Sequence, residues 1–505
     1  MDVPANSAIT APPAMITEHV IGEDRLRQRG AVLAGEMLAD WSLLAPAGRG
    51  AAVSGLPGTI VLLDGLRLTP AADGRVDMSL LPLAWLAGAD LSAGPGGVAR
   101  GAGSLGGTLD LSFAAVGSGN RAWAMAGAQS GRGIGGLDVR LGDDFGWFSA
   151  GFTQGGALAT PAGLAATGQG RWQLAGRFAQ DVGIATLSGR GLFATRREAA
   201  QQADYHDLAL QLHGGSAWQW RMAVATGAYQ AGSDGSRQTL FSAGLSRQTG
   251  IVLPGAVDPI SVAVGGEQRA LRLGAARVVA REVHAETYVP LLQDRPAAED
   301  LGVELGWRQA WIAGRSVPLW NVGARWEFFP GLALRGRAAR GIDDLATTSG
   351  VGRSIGLRAA PAFVPGLVAT IDWRRQSAGP ARVQALDASA YWRGRIGGTA
   401  QLTLEALATH HARADFTPLP VARFQSLLRA RVEDGGWALL AGWRHRSMLA
   451  GEPTRHWLDL GVERQLRDRI RLIASLGNAG DAGGAAGPPN VGVGRQALLQ
   501  LVAGF

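Results

Sequence analysis

The chain ends RQALLQLVAGF (residues 495–505), and the spacing of its apolar residues governs how everything before it is read. Leu499, Leu501 and Phe505 fall two or four residues apart, with Gln500, Val502 and Gly504 between them. A period of two puts one set of side chains on one face of a strand and the other set on the opposite face. In a soluble protein such a segment is an edge strand. In a barrel that crosses a bilayer it is the strand that closes the cylinder.

The same kind of segment recurs upstream. In RWQLAGRFA (171–179), Trp172, Leu174 and Phe178 oppose Arg171, Gln173 and Arg177. In AWQWRMAVATGAY (217–229), Trp218, Trp220, Met222 and Val224 oppose Gln219, Arg221 and small residues. VELGWRQAW (303–311) and LVATIDWRR (367–375) repeat the pattern. Each runs for about ten residues, the length of a tilted transmembrane strand. A soluble sandwich alternates too. Here, however, the polar face is Arg, Gln and Gly, and aromatics gather near the ends of the apolar face, as in lipid-facing girdles around a wet interior.

The connections add a second rhythm. Counted back from the C-terminus, 478–494 is long, 464–468 short, 446–455 long, 433–436 tight, 411–420 long and 394–398 short. The stretch 376–382 is intermediate, 361–365 short, 341–352 long and 328–331 short, and the alternation blurs before about residue 300. Short turns at one rim and longer loops at the other are the habit of outer-membrane barrels. At about 18 residues per strand and connection, residues 113–505 hold roughly 20–22 strands. A sheet that wide must curl or close, and only closure leaves no unpaired edge in lipid.

Composition is compatible with this. Glycine, at 75 of 505 residues, is about twice its usual share, and charged residues are 18% against about 25%. All 48 basic residues are Arg, and the net charge is +7. That charge suits an anionic partner, but no basic tract with interleaved aromatics reads as a nucleic-acid surface. The absence of cysteine excludes disulfides, thiolate metal sites and cysteine nucleophiles. No apolar run reaches the ~18–20 residues of a membrane-spanning helix. The opening MDVPANSAITAPPAM (1–15) has neither the basic start nor the apolar stretch of a secretory signal. The sequence therefore reads as a processed form, as one whose start lies further upstream, or as a chain that is not exported.

The first hundred residues have another texture. GEDRLRQRGAVLAGEMLADW (22–41) has the period of an amphipathic helix, with Leu26, Leu33, Met37 and Leu38 near one face. GTIVLLDGLRLTP (58–70) reads as a buried strand over Ile60–Leu63, an Asp64–Gly65 turn and a second strand. A helical or turn segment around Leu81–Trp85 then leads into a strand, two glycine-rich bends and another strand ending near Phe113. Glycines such as Gly94, Gly106 and Gly107 allow sharp bends and close backbone approach.

These residues carry a family resemblance. Residues 17–113 resemble the plug domain of TonB-dependent outer-membrane receptors, through Leu62–Leu68 as LxDGxRL, then Pro82, Gly94–Pro95, and Gly106–Leu111 as GGxLxL. LALRGRAARGI (332–342), RLIASLGNAGD (471–481) and the terminal GVGRQALLQLVAGF resemble barrel segments of the same family. The resemblance implies an all-β protein: an antiparallel transmembrane barrel of about 22 strands over 114–505, occluded by an α+β plug over 17–113, with a flexible segment at 1–16. It implies a receptor and active transporter in the outer membrane of a Gram-negative bacterium, taking up a ferric siderophore, cobalamin or similar chelate. Its implied partners are outer-membrane lipid, the TonB energy-coupling protein, the barrel-assembly machinery and a small-molecule or metal-chelate ligand, with no nucleic acid. The implied assembly is a monomer. The terminal Phe505 resembles the signal read by barrel-assembly machinery.

The departures are specific. Family plugs carry charged residues in the strand before GP, where this chain has LAGADLSAGP, with Asp90 and no Arg. Arg100–Gly101 stands where a Tyr-Gly pair is usual, and VSGLPG lacks the arginine expected before the LxDG strand. SAITAP (7–12) and MITEHV (15–20) are weak matches to a TonB box. Plug docking and energy coupling are thus left open by the sequence. The alternative is a degenerate, uncoupled barrel with a structural or envelope-assembly role.

No catalytic residue, cofactor or resident metal is expected. The 8 histidines lack HExxH spacing, and GPGGVARGAGSLGG (94–107) lacks the Gly-Lys-Ser/Thr ending of a phosphate loop. Candidate ligand contacts are Arg100, Asp343 and Asp344, and the adjacent His410–His411, placed at the start of a long outer loop; the plain reading of the Asp pair is exposed turn residues and of the His pair a solvated loop pair. The inward arginines Arg171, Arg177, Arg221, Arg308, Arg335, Arg337, Arg374, Arg444 and Arg446 suit either an anionic ligand or pairing with inward carboxylates and the plug.

Overall fold

The computed structural model of the chain describes residues 18–22, 44–47, 50–53, 56, 58–81, 83–94, 104–129, 132–155, 158–160, 163–165, 169–198, 201–294, 299–343, 348–417, 421–448, 454–479 and 496–504. The N-terminal part holds β1 (Glu18–Gly22), β2 (Leu44–Ala47), β3 (Gly50–Val53), β4 (Thr59–Leu63), β5 (Leu66–Arg67), β6 (Leu86–Ala93) and β7 (Gly107–Phe113). Five of them form one sheet in the order β1-β6-β7-β4-β5. β4 and β7 run parallel, and the other pairs run antiparallel. The apolar run that marks β4 is buried, as are Leu91, Leu109, Leu111 and Phe113 beside it.

Asp64 and Gly65 both take positive φ, 50° and 74°, so the two-residue turn between β4 and β5 has the left-handed geometry that Asp-Gly favours. Around Leu81–Trp85 the chain makes two single 3-10 turns, Met78–Leu80 and Leu83–Trp85. Among the described residues the plug contains no α-helix, and those residues form a β-sheet with two 3-10 turns. The helix expected over 22–41 falls on residues that, apart from Gly22 at the end of β1, lie outside the described ones.

Among the described residues that follow, 22 strands form a closed antiparallel barrel, and a separate short hairpin pairs Leu158–Thr160 with Gly163–Ala165. The barrel starts with β8 (Arg121–Gln129), β9 (Arg132–Gly142) and β10 (Gly146–Gly155) and ends with the strand Gln496–Gly504. That last strand pairs with β8 from Gln496↔Gln129 to Gly504↔Arg121, and so closes the ring. Its alternation has the sense read from the sequence: Leu499 and Leu501 face out, while Leu498, Gln500 and Val502 are buried toward the lumen. Phe505 lies outside the described residues.

The outer wall is apolar over its whole circumference, with Trp172, Leu174, Val224, Trp307, Ile371 and Trp373 among the outward side chains. Phe148, Phe178, Trp218, Phe329 and Trp437 mark the end of the cylinder where the chain finishes. Such a belt is stable only against hydrocarbon, and the closed ring leaves no unpaired edge there. The barrel has the build of a membrane-spanning cylinder.

The rims differ from the expected rhythm in one half. Beyond residue 342 the outer rim has connections at 343–348, 416–421, 449–454 and 478–495, and the inner rim turns tightly at 397–399, 435–436 and 468–469. The stretch read as intermediate near 376–382 is a two-residue turn, Gly379–Pro380. Before residue 315 the outer rim also turns in two residues, at 232–233, 274–275 and 313–314, while the inner rim carries the twelve-residue connection 249–260. Only the connection 156–168 is long at the outer rim of that half, and the rhythm blurs in the sequence accordingly.

Candidate functional site

The plug sheet sits inside the barrel, and the contacts between them are the candidate site. They begin at the Asp64–Gly65 turn. The Asp64 carboxylate accepts from the Phe113 N–H (3.1 Å), and the Gly65 N–H donates to Asp110 (3.1 Å), which fixes the turn on β7. From the wall, Arg177 reaches the Asp64 carboxylate at 3.4 Å and the Phe113 carbonyl at 3.2 Å. Arg221 donates to the Asp64 carbonyl at 3.3 Å, and Arg190 donates to the Leu63 carbonyl while pairing with Asp207 at 3.3 Å. A Cβ at Gly65 would stand 3.3 Å from the Arg221 guanidinium, so glycine here serves the approach as well as the turn.

Two further charge pairs tie the plug toward the outer rim. Asp77 caps the first 3-10 turn by accepting from the Ser79 N–H, and its carboxylate meets Arg196 at 3.0 Å with both side chains almost fully buried. Arg67 on β5 pairs with Glu267 at 3.2 Å and approaches Glu282 at 3.9 Å. Gln238 donates to the Arg67 carbonyl at 3.1 Å, and Ser236 donates to the Pro70 carbonyl. An aromatic stack completes the seat: Trp85, Phe113 and Trp147 pack edge to face at 6.3 and 5.4 Å. Trp85 Nε1 donates to Ser149 (3.2 Å) and Trp147 Nε1 to the Ala114 carbonyl (2.9 Å).

Wall arginines elsewhere pair with wall carboxylates. Arg335 meets Asp372, Arg374 meets Asp387, Arg308 meets Glu282, Arg337 meets Glu304 and Arg444 meets Asp459. Of the two readings for the inward arginines, these partners favour pairing.

The sequence-based candidates fare unevenly. Pro95, Arg100 and Asp344 lie outside the described residues. Gly94 takes φ 84° at the end of β6, and its N–H donates to the Gly106 carbonyl, so the two glycine bends meet. Asp343 is buried at an outer-rim connection, and its N–H donates to the Thr348 carbonyl at 2.7 Å. His410 and His411 are not in a loop. Both belong to the strand Ala400–Asp415, where alternation turns His410 outward and buries His411 inward, with Nδ1 2.8 Å from the Ala422 carbonyl. Residues adjacent on a strand cannot share a face. Arg67, Asp77, Arg190 and Arg196 were missed; Arg67 was read only as part of the LxDGxRL run, and nothing local marks the other three.

No family model matches the sequence, and no curated protein matches it. Solved structures do. The ferric enterobactin receptor of Pseudomonas aeruginosa superposes with a TM-score of 0.76 at 11% identity, covering 97% of this chain and 99% of that one. The siderophore receptor PirA of Acinetobacter baumannii gives 0.76 at 12% identity, over 97% and 98%. The alcaligin receptor FauA of Bordetella pertussis gives 0.70 at 13% identity, over 98% and 95%. The fold is that of the siderophore receptors. At this identity the likeness lies in the plug-in-barrel architecture.

Proposed function

We propose that this protein is an outer-membrane receptor and TonB-dependent transporter for a scarce chelate of the ferric siderophore or cobalamin kind. One observation carries the reading: a folded sheet is seated in the bore of a closed lipid-facing barrel and held by buried charge pairs. A passive pore needs no such sheet. A gated importer does, because the sheet blocks the bore until work is done on it.

In this reading the rim where the chain ends faces the periplasm, and the segment 1–16 meets TonB. The domains divide at 17–113 and 114–505. The ligand is captured at the opposite rim by the loops and plug apex, with Arg100, Asp343 and Asp344 as contacts, and His411 rather than His410 facing the bore. Phe505 directs barrel assembly, and the working unit is a monomer. Transport of this kind breaks no covalent bond, so it calls for no catalytic residue.

Growth and uptake by a deletion strain across iron chelates, cobalamin and oligosaccharides tests this. Loss of energy-dependent uptake of one chelate, restored by the intact gene, is the expected outcome. The two-residue outer turns at 232–233, 274–275 and 313–314 favour a second reading, an uncoupled structural barrel, because they leave little loop to close over a ligand. Unchanged uptake together with a defective envelope would support that reading instead.

A further inference from the structure

His445 and His456 lie directly opposite each other on the strands Trp437–Met448 and Arg455–Arg467, close to the outer rim. Both face away from the lumen. Their Nδ1 atoms are 3.3 Å apart and their ring centroids 4.7 Å apart. A tetrahedral ion with metal–nitrogen bonds of about 2.0–2.1 Å holds two donors about 3.3–3.4 Å apart. The pair already has that bite.

The rings are also held in place. Trp443 stacks against both, at 5.7 Å from each and with interplanar angles of 26° and 28°. Phe424 packs on His445 from the neighbouring strand at 5.5 Å. Fixing two imidazoles before an ion arrives removes much of the ordering cost of chelation. His456 is exposed and His445 partly exposed, so the protein does not close the remaining coordination positions.

We propose that His445 and His456 form a surface site for a borderline divalent transition-metal ion, with Zn2+, Cu2+ and Ni2+ as the fitting class. The ion is bound through both Nδ1 atoms, which requires both rings neutral at those nitrogens. Among the described residues no group of three or more His, Asp or Glu side chains is arranged to hold a metal, so two protein ligands and water make an exchangeable site rather than a structural one. The site lies on the outer wall, apart from the bore and the plug.

The untagged full chain, folded in detergent, is titrated with Cu2+ and Zn2+ by calorimetry, and the Cu2+ form is examined by electron paramagnetic resonance. One equivalent with hyperfine coupling to two imidazole nitrogens is the expected result. His445→Ala and His456→Ala each reduce the coupling to one nitrogen and weaken binding at least tenfold, while His410→Ala changes neither. A wild-type chain that takes up no ion at millimolar metal overturns the proposal, and the contact is then a hydrogen bond between two rings. Binding that survives in the doubly substituted chain overturns it as well.

Discussion

Two stretches of the barrel wall use the same residue types for opposite ends. Between residues 169 and 294 the inward charges reach the plug: Arg177 to Asp64, Arg196 to Asp77, and Glu267 to Arg67. Between residues 400 and 477 they pair within the wall: Arg429 to Glu405, Arg471 to Glu463 and Arg444 to Asp459 across adjacent strands, and Arg431 to Glu463 across the strand between them. A third stretch, from Leu367 to Ile396, meets the plug differently. There Leu56 and Leu105 pack on Ala378, Ala381, Val383 and Ala385. A buried guanidinium needs a carboxylate wherever it sits, and whether the nearest one belongs to the plug or to the wall decides whether the pair holds the plug or stiffens the cylinder.

The contrast can be broken most forcefully at Arg196. Arg196→Ala leaves the Asp77 carboxylate buried without its guanidinium, a loss of about 3–5 kcal/mol. The readout is protease cleavage of the plug in the folded barrel, which should rise sharply. Asp77→Leu combined with Arg196→Met should recover much of the protection, because an apolar pair carries no desolvation debt. Next comes the apolar side. Leu105 is fully buried, and Leu105→Ala should cost about 2–4 kcal/mol through a cavity against the wall alanines, read by thermal unfolding and the same protease assay.

Arg431→Ala probes the self-paired stretch. Glu463 keeps Arg471 as a partner at 3.2 Å, so the loss should be near the low end of about 1–3 kcal/mol. Barrel melting should drop slightly while plug protection stays at the wild-type level. A plug that became cleavable in this variant would show that the two stretches are not separate in effect. The smallest change is expected at Arg413–Asp415, whose side chains are 55% and 34% exposed. Asp415→Asn should move the melting midpoint by less than about 1 kcal/mol equivalent, since exposed pairs are screened and entropically costly.

Much of the barrel was legible because a strand writes its two environments in alternate residues. Trp172, Leu174 and Phe178 had to face one medium and Gln173 and Arg177 another, and a cylinder between lipid and water supplies both. The plug strands were legible through Asp64–Gly65, whose residue types answer a backbone requirement. What stayed hidden was pairing across sequence distance. Nothing local to Asp77 names Arg196, which is 119 residues away. The histidines show the same limit: His410–His411, adjacent in sequence, part to opposite faces, while His445 and His456 meet only because one hairpin places them in register.

From the sequence alone came the period, the length of the segments, the closing role of Gln496–Gly504 and the presence of a separate glycine-bent sheet ahead of the barrel. These follow from interactions within a strand or a turn. The tertiary structure alone decided which wall grips the plug, which arginines are consumed in holding the cylinder together, and where two outer imidazoles come within reach of one ion. Such outcomes depend on register summed around a ring of 22 strands, where a slip of one residue would exchange every inward partner for an outward one.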